Sequence, residues 1–336
     1  MSETLFVVLF LVFAGPFAAY VVAALVLYLR PASKKLYPTF KNKHAFVAGG
    51  SLGLGRALAL QLVAAGANVT IIAPFSDELQ DAVQEAQASA TPEHGAIHSI
   101  VADMRDAVSI QAAIHDAETH LGPIAILFTV AGKAVTAKLH DVSLDEHKHA
   151  LDLNYFGTLN TVYAALPGMR ARQRGSIVFI ASGAALASYV GYAAYSPSKY
   201  AVRGLAECLH SELVGSGVSV HIAYPGQMDT PGYAIENVTK PAECKTIEAN
   251  DTLHTPEAVA TSILRDLQNG VYNMYCGDVM LRLLGSVSSG LMPRNNWALD
   301  VLMFPILVLT AWIVRTDWAK IVQKHRLDKT DSYQQA

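Results

Sequence analysis

The chain has 336 residues, more than one compact α/β domain usually needs, and 52% of them are hydrophobic, a high share for a purely soluble protein. Its formal net charge of −3 gives no reason to expect a nucleic-acid partner. The cysteines Cys208, Cys244 and Cys276 are far apart and form neither a C-x-x-C pair nor an even-numbered framework, so the sequence predicts no structural disulfide and no metal site.

The chain begins with an apolar segment that contains no charged residue. As a helix rising about 1.5 Å per residue, residues 5–29 would span about 37 Å, enough to cross a bilayer core of about 30 Å. A cleaved signal peptide is the alternative, but the start MSETLF lacks a basic region and the apolar run is long for one. The sequence therefore predicts an N-terminal membrane anchor, residues 1–30.

A basic linker follows, residues 31–43. From Arg30 to Lys43 the chain carries five basic residues and no acidic one. Basic residues beside a membrane span stay on the cytoplasmic side, so the bulk of the protein is expected to face the cytosol.

The next part of the chain, residues 44–280, alternates between apolar strand-like runs and helix-like stretches. The predicted strands are 44–50, 68–73, 97–103, 124–132, 175–182 and 219–226. The predicted helices are 53–66, 76–90, 106–121, 143–172 and 196–214. Strands that are apolar throughout and separated by helices predict a parallel sheet covered on both faces. The fold class is therefore α/β, a Rossmann-type doubly wound sheet that binds ligands beyond the carboxyl ends of its strands.

The last part of the chain, residues 281–336, departs from this pattern. Residues 301–314 are apolar and include Pro305, and a largely basic tail follows them. Fourteen residues are short for a span, and a crossing would place the basic tail on the wrong side, so a re-entrant or interfacial membrane segment is favoured. A buried core helix or a contact in a homo-oligomer is the alternative.

The first strand runs into the glycine-rich turn AGGSLGLG, residues 48–55. Gly49, Gly53 and Gly55 allow a tight turn and let backbone N–H groups approach a pyrophosphate at the start of the next helix. The spacing is G-x-x-x-G-x-G rather than G-x-G-x-x-G, so the turn alone is a weak signal. Its place at the first strand of an α/β chain makes it a candidate dinucleotide site.

The end of the second strand bears on the choice of cofactor. NAD-binding sites often place an acid there to bind the ribose 2′-OH, but residues 73–76 contain none, and Asp77 fits a charge in the first turn of a helix. This favours NADPH. The end of the second strand also has no arginine that could bind a 2′-phosphate. Arg56, in the first predicted helix, is either the partner of that phosphate or an exposed helix charge.

The segment YVGYAAYSPSKY, residues 189–200, holds the candidate catalytic pair. Tyr195 and Lys199 share one face of a helix at i and i+4, and a lysine ammonium near a phenol lowers its pKa from about 10. Ser182 ends a strand at the sheet edge where a ligand would lie. Tyr189 and Tyr192 are assigned to the substrate entrance or to packing against a lid.

These motifs together resemble the short-chain dehydrogenase/reductase family over about residues 44–280. The resemblance implies catalytic roles for four residues: Asn154, Ser182, Tyr195 and Lys199. It implies cofactor contacts from Gly49, Ser51, Gly53, Leu54, Gly55, Asp103, Ala131, Gly132, Tyr195, Lys199, Pro225, Gly226 and Thr230. One departure is Thr129-Val130 where the family usually has Asn-Asn, which bears on cofactor affinity and leaves the catalytic group intact.

In the family's mechanism Tyr195 donates a proton to a carbonyl oxygen while hydride arrives from the nicotinamide. Ser182 hydrogen-bonds that oxygen, Lys199 lowers the pKa of Tyr195 and holds the nicotinamide ribose, and Asn154 organises a proton-relay water. Asp103 would bind the adenine edge and Thr230 the nicotinamide side.

The run AYPGQMDTPGYAIENVTKP, residues 223–241, narrows the resemblance to the branch that reduces a long-chain sphingoid ketone with NADPH, at the cytosolic face of the endoplasmic reticulum membrane. A tethered reductase meets a substrate that partitions into the bilayer at high local concentration. Two alternatives stay open. One is a membrane-anchored hydroxysteroid or retinol dehydrogenase of the same family, and the other is a non-catalytic membrane scaffold.

Overall fold

A computed structural model of the chain describes residues 35–288 and 294–334, with residue 18 by itself. The predicted anchor within residues 1–30 therefore lies outside the described residues, apart from that single position. The start of the basic linker, residues 31–34, lies outside them as well.

A seven-stranded parallel sheet forms the centre of the described fold, and this confirms the predicted doubly wound sheet. The strand order is β3-β2-β1-β4-β5-β6-β7, so the chain reverses direction across the sheet between β1 and β4. The strands are β1 His44–Ala48, β2 Asn68–Ala73, β3 Ile97–Val101, β4 Ile124–Thr129, β5 Gly175–Ile180, β6 Val218–Ala223 and β7 Asn273–Met274.

Helices cover both faces of this sheet. In the first half they are α1 Gly53–Ala64, α2 Ser76–Ala88, α3 Ala107–Leu121, α4 Leu144–Leu151 and α5 Gly157–Ala171. In the second half they are α6 Tyr195–Glu212, α7 Pro231–Thr239, α8 Ala242–Ile247, α9 Pro256–Gln268, α10 Val279–Ser288 and α11 Trp297–Gln334. The sequence predicted one helix over 143–172, but a π-helical turn at Asp152–Phe156 separates α4 from α5.

The strands are apolar throughout because both faces of the sheet are buried. In β5 the side chains of Ile177 and Phe179 join the core under one helix layer, and those of Val178 and Ile180 join the core under the other. Side chains alternate between the faces of a strand, so a strand covered on both sides needs apolar residues at consecutive positions.

The C-terminal apolar segment 301–314 lies inside the helix α11, which is 38 residues long. The helix continues through Pro305. The exposed side chains of α11 include Leu309 and Trp312, which are 65% and 68% exposed. Of the helices in the described ranges, none is long and apolar enough to cross a membrane.

Candidate active site

Tyr195 is the first residue of α6, one residue before the predicted start at 196, and Lys199 follows one helical turn later on the predicted shared face. The Ser182 side chain lies close enough to the Tyr195 hydroxyl to lower its pKa. Ser182 lies two residues beyond the end of β5 and caps a short 3₁₀ turn, where its Oγ accepts from the backbone N–H of Ala184 at 3.2 Å. The strand end and the helix start therefore bring the two hydroxyls together at the carboxyl edge of the sheet.

Lys199 is buried beneath this pair. Its Nζ donates to the carbonyl oxygen of Ile180 at 3.1 Å and lies 5.8 Å from the centroid of the Tyr195 ring. A buried ammonium needs such partners, because desolvation penalises its charged form. Burial lowers the pKa of Lys199 to about 8.

The pKa of Tyr195 is raised in this structure, whereas its spacing to Lys199 predicts a lowered one. Burial raises the pKa of Tyr195, the Ser182 side chain lowers it, and the charge of Glu236 raises it again. Desolvation disfavours the phenolate more strongly than the neighbouring groups favour it. The Tyr195 phenol is thus protonated near neutral pH, which is the form that a proton donor requires.

Asn154 lies in the π-helical turn and is fully buried. Its Oδ1 accepts from the backbone N–H of Lys133 at 2.9 Å, and its Nδ2 donates to the Lys133 carbonyl oxygen at 3.1 Å and to Ser198 Oγ at 2.9 Å. π-helical turns occur frequently at functional sites. Asn154 therefore holds the loop after β4 against α6.

Ser198 is a site residue that the sequence reasoning missed. It is buried, and its Oγ donates to the carbonyl oxygen of Tyr195 at 2.7 Å while accepting from Asn154. The signal was its place one residue before Lys199, on the turn that carries Tyr195. Its hydrogen bonds connect Asn154 to the backbone of the catalytic tyrosine.

The glycine turn packs tightly against the end of β4. Gly49 has a φ of 92°, and a Cβ there would lie only 2.5 Å from the backbone nitrogen of Ala131. A Cβ at Gly55 would overlap the carbonyl oxygen of Gly49. Side chains are thus excluded at both positions, which leaves the turn with the bare backbone that a pyrophosphate site uses.

Two further glycine contacts connect this turn to the rest of the site. Gly53 has a φ of 52°, and a Cβ there would lie 3.1 Å from Thr230 Cγ2. A Cβ at Gly132 would lie 2.9 Å from Asn154 Oδ1 and 3.0 Å from Lys199 Nζ. The candidate cofactor residues after β1, β4 and β6 therefore border one groove that leads to the catalytic group.

The segment after β6 is held at the same edge. The backbone N–H of Gly183 donates to the carbonyl oxygen of Pro225 at 2.9 Å, next to Gly226. Thr230 caps α7 by accepting from the backbone N–H of Tyr233 at 3.1 Å. The 225–230 segment thus lies beside Ser182 at the candidate active site.

Asp103, the candidate adenine contact, has a neighbour that the sequence reasoning did not consider. Its carboxylate accepts from Arg105 Nε at 3.0 Å and from Arg105 Nη2 at 2.5 Å. This hydrogen-bonded arginine holds the pKa of Asp103 below its usual range. Asp103 therefore stays ionised, and an adenine would meet the carboxylate already paired.

The region around the end of β2 differs from expectation in two respects. Ser51 Oγ donates to Glu78 Oε2 at 2.9 Å, so an acid missed in the sequence reasoning lies beside the glycine turn. Arg56 Nε donates to Glu85 at 2.7 Å, so this arginine pairs with α2. Asp77 lies in the first turn of α2, as predicted.

Thr129, the departure from the family pattern, is buried at the end of β4. Its Oγ1 has no hydrogen-bond partner among the described residues. A buried hydroxyl beside the groove is a polar atom that a bound ligand would satisfy. Together with the bare glycine turn, it indicates that the groove fits a dinucleotide.

Tyr189 and Tyr192 both contact the lid, which is residues 231–248 and contains α7, α8 and Glu248. Both hydroxyls lie within hydrogen-bond distance of Glu248 Oε1, at 2.7 Å and 2.6 Å respectively. The Tyr192 ring also lies 5.9 Å from the Tyr195 ring, so Tyr192 stands between the lid and the candidate catalytic pair.

A group of side chains that could ligate a cation lies on β3 and α3, outside this site. His98, Asp116 and His120 approach one another through their ring nitrogens and carboxylate oxygens. The sequence reasoning missed the group because β3 brings His98 to the helix, and no H-x-x-x-H spacing marks it. The hydrogen bonds to Asp116 account for the arrangement.

Comparison with known proteins agrees with this geometry. A sequence model of the short chain dehydrogenase family matches residues 43–239. The chain is 34% identical to a 3-dehydrosphinganine reductase of Danio rerio over 283 residues, 83% of this chain and 85% of that protein. It is 33% identical to a 3-ketodihydrosphingosine reductase of Bos taurus over the same shares. Among solved structures, a short chain dehydrogenase from Mycobacterium paratuberculosis bound to NAD matches with a TM-score of 0.60 and 26% identity, over 68% of this chain and 92% of that one.

Proposed function

The chain belongs to the short-chain dehydrogenase family, and from this premise we propose that it reduces the 3-keto group of 3-ketosphinganine to give dihydrosphingosine in sphingolipid synthesis. The observation that carries the proposal is the placement of Tyr195 beside Ser182 and above a buried Lys199. The chain is also similar over most of its length to a 3-dehydrosphinganine reductase and a 3-ketodihydrosphingosine reductase.

The chain's own residues account for the proton transfer. The substrate carbonyl oxygen accepts from Tyr195 and Ser182, and both donors are fixed before the reaction by the end of β5 and the start of α6. Preorganised donors aimed at a developing oxyanion stabilise the transition state. Tyr195 then transfers its proton to that oxygen.

Lys199 and Asn154 support this step from below. The Lys199 ammonium, held by the carbonyl oxygen of Ile180, stabilises the phenolate that forms when Tyr195 gives up its proton. Asn154 keeps Lys133 and Ser198 in place, so the loop beside the groove cannot shift. The groove would hold a nicotinamide dinucleotide, which when bound would supply the hydride to the carbonyl carbon.

NADPH is the form of cofactor that we propose. The support is that residues 73–76 at the end of β2 carry no acid that would meet a 2′-phosphate. The Glu78 carboxylate, which contacts Ser51 beside the glycine turn, would repel a 2′-phosphate and so opposes the preference for NADPH. Initial rates with NADPH and NADH at equal concentration test it, and a faster rate with NADH would contradict it.

The proposed setting is the endoplasmic reticulum membrane, with the catalytic domain on the cytosolic side. It rests on the uncharged stretch 5–29, the basic flank after it and the exposed apolar side chains of α11. A homo-oligomer stays a prediction. Fractionation of cells that express the whole chain tests the setting, because recovery in the soluble fraction alone would contradict it.

The activity itself is tested with purified protein, NADPH and three ketones: 3-ketosphinganine, a ketosteroid and retinal. The proposal expects 3-ketosphinganine to be reduced fastest. A faster reaction with the steroid or with retinal would support the alternative dehydrogenase, and no reaction with any of them would support the scaffold.

A further inference from the structure

The run 229–241 places two charged residues, Glu236 and Lys240, one helical turn apart at the end of α7. The Lys240 Nζ lies 2.9 Å from Glu236 Oε1 and 2.7 Å from Glu248 Oε2. The Lys240 side chain is only 1% exposed. The lid thus contains a buried ion cluster, and nothing in the reaction described so far uses it.

Negative charge is in excess in this cluster. Lys240 supplies one ammonium to the two carboxylates of Glu236 and Glu248. Asp251 is close enough that burial first, and then the charge of Glu248, raise its pKa to about 6. A buried carboxylate is costly without a counter-ion, so the cluster favours a further positive charge.

Lys240 does not need Glu236 for its own neutralisation. Glu248 is closer to the ammonium and is itself held by the hydroxyls of Tyr189 and Tyr192. Glu236 is therefore a second carboxylate beside an ammonium that is already paired. Both contacts that the described residues make with the Glu236 carboxylate, from Tyr192 and Lys240, use Oε1.

Glu236 also lies beside the reaction centre. The Tyr192 hydroxyl shares its single hydrogen between Glu248 Oε1 at 2.6 Å and Glu236 Oε1 at 2.8 Å, and the Tyr192 ring lies 5.9 Å from the Tyr195 ring. The negative charge of Glu236 raises the pKa of Tyr195, which places the two side chains within electrostatic range. A substrate whose ketone contacts Tyr195 thus brings its neighbouring atoms close to Glu236.

3-Ketosphinganine carries an amino group on the carbon next to its ketone. The amino group of a peptide terminus, which also stands one carbon from a carbonyl, has a pKa of about 7.7–8.0 and is mostly protonated at neutral pH. A steroid or a retinoid has no such cation. The chemistry of the lid therefore distinguishes an amino ketone from a neutral one.

We propose that Glu236 binds the ammonium group of the substrate, and that Lys240 and Tyr192 orient its carboxylate for that contact. The inference rests on the proposed function and deepens it, because it gives the lid a role in substrate selection. Glu236 is a specificity-determining residue, and the proton transfer stays with Tyr195.

The experiment compares 3-ketosphinganine with the same hydroxy ketone that carries hydrogen in place of the amino group. The full-length protein is assayed with NADPH as wild type, Glu236→Gln and Glu236→Asp. Loss of a charge-assisted hydrogen bond predicts that Glu236→Gln lowers kcat/KM for the amino ketone by about 10- to 100-fold, mostly through KM. In Glu236→Gln, kcat/KM for the amine-free ketone should change less than about twofold. Glu236→Asp should retain part of the wild-type preference for the amino ketone.

Glu243→Gln is the matched control, because Glu243 is a buried lid carboxylate that pairs with Lys138 at 2.5 Å. This variant should keep the wild-type ratio between the two ketones. Equal losses on both ketones in Glu236→Gln, or no loss, would overturn the proposal while leaving the proposed function intact.

If Glu236→Gln does not fold, the wild type decides by itself: a preference of at least about tenfold for the amino ketone supports the proposal and equal kcat/KM values overturn it. A wild type that does not reduce 3-ketosphinganine at all would remove the proposed function, and this inference with it.

Discussion

Replacing Tyr195 with phenylalanine removes one oxygen atom from the site and leaves the ring in place. Ser182 then loses the phenol as a partner but still accepts from the backbone N–H of Ala184. One neutral hydrogen bond contributes about 1 kcal/mol net, and burying one hydroxyl fewer offsets part of that loss. The free energy of unfolding should therefore change by no more than about 1 kcal/mol.

The effect on turnover should be far larger. A positioned general acid contributes about 10²- to 10⁴-fold to a rate, or about 3 to 5 kcal/mol of the barrier. In Tyr195→Phe the Ser182 hydroxyl can still stabilise the oxyanion, but no described side chain in the group can replace the proton donor. Lys199 has a pKa of about 8, yet its Nζ is held by Ile180 beneath the ring.

The assay follows NADPH oxidation with 3-ketosphinganine and, separately, NADPH binding by its fluorescence. Tyr195→Phe should lose at least about 100-fold in kcat and keep its NADPH affinity within a few-fold. Tyr200→Phe is the matched control, because Tyr200 lies on the same helix and is 40% exposed. Turnover that is unchanged in Tyr195→Phe, or lowered equally in Tyr200→Phe, would refute the assignment of the proton donor.

Three further predictions concern the groups around this tyrosine. Asn154→Ala should lower the free energy of unfolding by about 2–3 kcal/mol, because it breaks three hydrogen bonds of a buried amide; thermal unfolding that matches the wild type would contradict this. Since the Lys199 pKa is lowered from 10.5 to about 8, the folded state binds fewer protons than the unfolded state between these values, and the free energy of unfolding should rise with pH there, by at most about 3 kcal/mol. Denaturant unfolding of the wild type and Lys199→Met across that range measures it, and parallel curves would count against the buried ammonium. Glu78→Gln should lower KM for NADPH up to about fivefold and change KM for NADH less, since the carboxylate beside Ser51 repels a 2′-phosphate; an equal change for both cofactors would place Glu78 outside the cofactor site.

The sequence could predict what depends on local order along the chain. The apolar run before Ser182 predicts a buried strand, and the i, i+4 spacing of Tyr195 and Lys199 predicts a shared helix face; both hold in the structure. The glycine turn was predictable for the same reason, because a strand-to-helix connection with this spacing must bend sharply.

Features that depend on contacts between residues distant in the sequence could not be predicted from the sequence. Tyr189 and Tyr192 meet Glu248 across 59 and 56 residues of chain. The pKa of Tyr195 is set mainly by burial, which the spacing to Lys199 does not report. The acid beside Ser51 comes from the first turn of α2, two positions beyond the stretch that a strand-end rule inspects.

Some boundaries of helices and strands could not be predicted from the sequence either. The π-helical turn at Asp152–Phe156 has no periodic signature that separates it from a continuous helix. β7 has only two residues, too few to give an alternating pattern.

The most direct test of the account is NADPH oxidation by the purified full-length chain in lipid vesicles, with 3-ketosphinganine as the only ketone. The account predicts that NADPH is consumed in step with dihydrosphingosine formed, one for one. Full NADPH binding with no product formed from 3-ketosphinganine would contradict it.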